Sequence, residues 1–153
     1  MKWLFRIMVV LTVLILAGVT AFGIFCVVDK TMVNNYRVRV TISMDAAQLS
    51  GDGVAVQADG QWRRLNDEAC TKLRYYITRD PLVWTDWFCA GRESISLRFS
   101  EDPVTLWKLS PDAAVVRLDG AGGGMTMRVR ADGIWDRLTL YTGVKYYHTD
   151  GNE

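Results

Sequence analysis

Hydrophobic and polar positions divide the chain into two parts with different periods. No charged residue interrupts the run Ile7–Val28, which Lys2 and Arg6 precede and Asp29 and Lys30 close. At about 1.5 Å of helical rise per residue the run reaches roughly 33 Å, the depth of a bilayer's hydrocarbon core. Lipid offers a backbone amide no partner, so the run is expected to be helical in spite of Val9, Val10 and Val13. Lys2 and Arg6 predict a cytoplasmic N-terminus over residues 1–6, a membrane anchor over 7–28, and a remainder carried to the periplasmic or extracellular side of the inner membrane. The same opening also reads as a secretory signal peptide. Ile7–Leu16 would form its apolar core, and Val19-Thr20-Ala21 places small residues before a cleavage point after position 21. The length of the run favours the retained anchor, as does the greasy end, Phe22–Val28, that cleavage would expose.

Beyond a linker over 29–35 the period changes to two. Tyr36, Val38, Val40, Ile42 and Met44 interleave with Arg37, Arg39, Thr41 and Ser43, the pattern of a half-buried strand. Ile95, Leu97 and Phe99 alternate with Ser94, Ser96 and Arg98, and Met125, Met127 and Val129 with Thr126, Arg128 and Arg130. Weaker strand patterns cover Val54–Ala58, Gln61–Leu65, Leu82–Phe88, Val104–Leu109, Ala114–Leu118, Trp135–Tyr141 and Val144–His148. Asp-Gly pairs at 52–53, 59–60, 119–120, 132–133 and 150–151 punctuate these runs, and Asp59-Gly60 between two strand patterns is the strongest hairpin signal. One short helix is expected over 67–78. Asn66 stands where a cap is needed, Asp67 and Glu68 fall in the first turn, Ala69, Leu73, Tyr76 and Ile77 share a face, and Asp80-Pro81 ends it. The competing assignment is a strand, because Tyr75-Tyr76-Ile77-Thr78 is β-prone. The pattern as a whole predicts a mainly β protein: one N-terminal transmembrane helix, then an antiparallel β-sandwich or barrel-like domain over 36–148, and a disordered tail over 149–153.

Composition narrows the function classes. The 153 residues carry a net charge of +1, and 23% are charged against 50% apolar. Past residue 30 the balance is fifteen basic to sixteen acidic side chains, so no bulk field draws the domain to nucleic acid.

Candidate chemistry is sparse. Cys70 and Cys89 would both lie in an oxidising compartment, and a disulfide between them would stabilise the domain by about 3 kcal/mol on a chain-entropy argument. Cys26 falls in the apolar run and reads as a small hydrophobe. His148 is the sole histidine and sits near the end, so neither a triad nor a zinc site is expected and no cofactor is predicted. Most aspartates stand at turns, where they bond the local backbone. Trp84 and Trp87 differ by three positions, which on one strand would turn them to opposite sides. One of the pair, with Asp86 between them, is therefore a candidate ligand-binding platform. Arg37, Arg39, Arg98, Arg128 and Arg130 occupy the outward positions of their predicted strands.

Tyr36–Ile42 followed by Leu49–Val54 resembles short bacterial envelope proteins that join an anchor to a β domain, a likeness that includes no catalytic position. The leading expectation is thus a membrane-anchored, non-catalytic interaction module that docks another envelope protein. A glycan- or small-ligand-binding domain using Trp84 or Trp87 is the alternative. A small hydrolase built on Asp132–Asp136 and His148 ranks last.

Overall fold

A computed structural model describes residues 2–79, 81–85, 93–120 and 123–144. Its first element, helix α1, runs unbroken from Lys2 to Leu49, about 72 Å at 1.5 Å per residue. The expected linker at 29–35 and the expected strand at 36–44 are both part of this helix. Two periods coexist in that stretch, and the helical one prevails: Val33, Tyr36, Val40, Met44 and Ala47, three or four residues apart, are buried. Val38 and Ile42, which alternation put on the face of Val40 and Met44, are exposed instead. The cause lies upstream. A helix already nucleated in the apolar run gains one hydrogen bond for each residue added, and Asp29–Asn35 contains neither glycine nor proline to stop it. It ends where the sequence first permits, at Ser50-Gly51-Asp52-Gly53. Gly51 and Gly53 turn to positive φ, and the Gly53 amide donates to the Ala47 carbonyl at 2.7 Å.

Seven strands follow: β1 (Val54–Ala58), β2 (Gln61–Arg64), β3 (Leu82–Trp84), β4 (Ser94–Phe99), β5 (Asp102–Ser110), β6 (Ala113–Leu118) and β7 (Met125–Arg130). They form one antiparallel sheet in the order β2-β1-β4-β5-β6-β7-β3. The β1–β2 hairpin closes through Asp59 and Gly60, at φ 51° and 75°, the two-residue turn anticipated from that pair. Helix α2 (Asp67–Thr78) lies between β2 and β3 as expected, and the Asn66 side chain accepts from the Ala69 amide at 2.7 Å. Helix α3 (Ile134–Thr142) replaces the weak strand pattern over Trp135–Tyr141. Its buried residues Ile134, Trp135, Leu138 and Thr142 follow helical spacing, and it starts from Gly133 in the left-handed region.

Among the described residues the sheet is open, and neither a second sheet nor a closed barrel is present. The sandwich or barrel expectation fails because helices cover the apolar sheet face. Ile95, Leu97, Phe99, Val104, Leu106, Ala114, Val116, Leu118, Met127 and Val129 join the buried sides of α1, α2 and α3 in one core. The opposite sheet face carries Ser96, Arg98, Thr105, Arg117, Thr126 and Arg128, the polar alternates of the same strands. Of the Leu82–Phe88 pattern only Leu82–Trp84 is strand. Residues 86–88, residues 145–148 of the last strand pattern and the expected tail over 149–153 lie outside the described residues.

The helical period of α1 makes a direct test. Met44→Ala should cost about 2–5 kcal/mol of domain stability, whereas Ile42→Ala should stay within about 0.5 kcal/mol. Urea unfolding of the full-length protein in detergent measures both, and equal losses would restore the strand assignment.

Candidate functional site

The residues singled out from sequence fall in different places. Trp84 lies on edge strand β3 opposite Met127, half-buried against the core. Its amide donates to Asp29 Oδ1 at 3.0 Å, so β3 is fastened to α1 at the point where the apolar run ends. Asp86, Trp87, Cys89 and His148 lie outside the described residues. Cys70 is a free thiol and no disulfide occurs among the described residues, while Cys89, its expected partner, lies outside them. Cys70 lies on the inner side of α2. It is buried within the core, with Sγ 3.9 Å from the Leu65 carbonyl, and burial pushes its thiol pKa up.

The arginines expected at outward strand positions divide into three groups. Arg37 and Arg39 belong to α1 and fasten it: Arg37 Nε donates to the Thr78 carbonyl at 3.0 Å and Arg39 Nη1 to the Gly123 carbonyl at 2.5 Å. Arg98 and Arg128 stay on the polar sheet face. Arg98 lies 5.0 Å over the exposed Trp62 ring, and Arg117, between their strands, is paired with Asp119 at 2.9 Å. Arg130 ends β7 and enters a cleft.

This cleft, of about 580 Å³, is lined by Arg79, Pro81, Asp112, Arg130, Ala131, Asp132 and Arg137. Three elements build it. Arg79 follows the last turn of α2 in extended conformation, Arg130 closes β7, and Arg137 stands in the first turns of α3. An aromatic cluster sets the guanidinium positions. Arg137 Nη1 donates to the Tyr76 hydroxyl at 2.6 Å and lies 5.4 Å from that ring's centroid. Arg79 lies 5.2 Å over Tyr75 and 6.0 Å over Tyr76, and Tyr141 stacks on Tyr76 at 5.8 Å. Of the two carboxylates, Asp112 already accepts from the Gly133 amide at 2.6 Å. The Arg137 contact also lowers the Tyr76 phenol pKa, because the cation favours phenolate.

Arg79, Arg130 and Arg137 were not legible as a group. Arg137 fell inside a strand pattern, so only α3, once formed, brings it to the end of β7. Among the described residues the cleft lining contains no hydroxyl, thiol or imidazole, and no set of three or more potential metal-binding side chains occurs. The chain matches no family model, no curated protein and no solved structure.

Two measurements test these assignments. In the folded protein Cys70 should resist a thiol-alkylating reagent, and in denaturant it should react fully without any reductant, as read by mass spectrometry. In an ultraviolet titration one tyrosine should ionise below the ordinary value of 10.0, and Arg137→Gln should return it upward. Because the folded value lies below the unfolded one, this pair adds stability as pH rises through the folded value and adds it in full only above 10.0.

Proposed function

We propose that the protein is a single-pass inner-membrane protein whose exported domain is a non-catalytic interaction module for another envelope protein. The observation that carries this reading is the continuity of α1. One helix is long and apolar enough to cross a membrane, and the same helix supplies Val33, Tyr36, Val40 and Met44 to the domain core. A domain joined to its anchor without a hinge holds its surfaces at a fixed height and angle, which suits docking to a membrane-bound partner. Retention of the anchor fits the same geometry, since the helix passes position 21 without interruption. The polar sheet face, where exposed Arg98 of β4 reaches past β1 to the exposed Trp62 ring of β2, is the surface this arrangement presents.

A Gly-Ser insertion between Val28 and Asp29 tests the reading, since it separates anchor from domain and leaves the Asp29–Trp84 contact within the domain. A photo-crosslinking residue at position 98 in intact membranes should give one discrete protein adduct. The insertion should reduce its yield several-fold while the domain's Tm stays unchanged. An adduct of undiminished yield, or none in the parent protein, would overturn the proposal.

A further inference from the structure

We infer that the cleft between α2, α3 and the end of β7 is a binding site for a phosphate-ester anion, held by Arg79, Arg130 and Arg137. The argument begins with charge. Among the described residues three guanidiniums face two carboxylates across about 580 Å³, and one carboxylate, Asp112, is engaged by the Gly133 amide. The described lining is therefore net positive, although basic and acidic side chains past residue 30 nearly balance. A planar guanidinium presents its donors in a fork matched to phosphate oxygens, a geometry that lysine would lack.

Pre-organisation supplies the second strand of the argument. Tyr75 and Tyr76 carry the Arg79 guanidinium, and the Tyr76 ring and hydroxyl together fix Arg137. These ring contacts, and for Arg137 the hydrogen bond, restrict both side chains before an anion arrives, so less side-chain entropy is lost on binding. Arg130 is exposed and has no hydrogen-bond or ion-pair partner among the described residues. Ala131 and Asp132 in the lining directly precede α3, so the positive end of that helix's dipole also borders the cleft.

The same phosphate chemistry has two sources, a phospholipid headgroup and a soluble phosphate ester. From Pro81 in the cleft wall, β3 runs to Trp84, whose amide is bonded to Asp29 at the end of the apolar run. At about 3.3 Å per residue only about 10 Å of strand separates the cleft from that level, which puts a headgroup within reach. The lipid source rests on α1 being a membrane anchor, whereas the soluble source does not.

The test uses the full-length protein and the Nε–Hε resonances of its arginines. Inorganic phosphate is titrated into protein in detergent micelles. In parallel, nanodiscs of phosphatidylcholine alone are compared with nanodiscs that also contain phosphatidylglycerol. Signals of Arg79, Arg130 and Arg137 should move together while Arg98 stays in place. Arg130→Gln should weaken the response about tenfold and Arg98→Gln should leave it unchanged. An unaltered amide spectrum confirms that each variant is folded. Response to phosphatidylglycerol only identifies the lipid source, and response to inorganic phosphate identifies the soluble one. No response in either arm, or equal weakening by Arg98→Gln and Arg130→Gln, would overturn the site.

Discussion

Between Val28 and Val33 the demands on α1 change. From Ile7 to Val28 it carries no charged side chain and none of its residues is buried, a segment long and apolar enough to cross a membrane. Beyond it only one stripe, Val33, Tyr36, Val40, Met44 and Ala47, is buried, against the sheet and α2. Polar contacts lock the second segment in place. Tyr36 donates to the Ile77 carbonyl at 3.1 Å and Arg37 to the Thr78 carbonyl, both among the carbonyls that the end of α2 leaves without partners. Farther along, Ser43 Oγ donates to Asp102 Oδ2 at 2.6 Å, and Arg74 pairs with Asp45 at 2.5 Å. A cation from α1 at the C-terminus of α2 also complements that helix's dipole, since the last turn of α2 holds no basic residue of its own.

Much of the sheet was legible because its strands are punctuated by turn chemistry. The Asp59-Gly60 hairpin, the alternation of Ile95, Leu97 and Phe99, and that of Met125, Met127 and Val129 all appear where the sequence placed them. Helix α2 was legible through its cap, its acidic first turn and its buried face. The segment at 36–44 misled because its apolar residues satisfy two periods at once, and local alternation cannot register a helix entering from upstream. That one misassignment also removed the element that covers the sheet, so a second sheet seemed necessary. The cleft was illegible for a related reason. Its arginines come from three elements far apart in sequence, and local alternation over Trp135–Tyr141 suggests a strand where the helix α3 brings Arg137 into place.

The contact between α2 and α3 differs in kind from the rest of the core. Whereas α1 adds Val33, Val40, Met44 and Ala47 to the core, α2 and α3 also meet through Tyr76, Tyr141 and Arg137, a stack edged by hydrogen bonding. Such a junction depends on charge and ring orientation more than on displaced water, and it is sensitive to pH where an aliphatic contact is not. The polar cleft opens beside this junction. Anything that engages its guanidiniums therefore also acts on how two of the three helices are held together.

The absence of a joint in α1 has a mechanical consequence. Once embedded, a stiff rod inclines when the surrounding bilayer thins, and an average inclination is about 20°. The part of α1 beyond Val33 is on the order of 24 Å long, so a swing of that size carries its far end sideways by roughly 8 Å. The β1–β2 hairpin, attached just past that end, would sweep across the membrane plane while the edge strand β3 near Asp29 barely moves. With α1 as a membrane anchor, lipid thickness would thereby translate into lateral displacement of the domain.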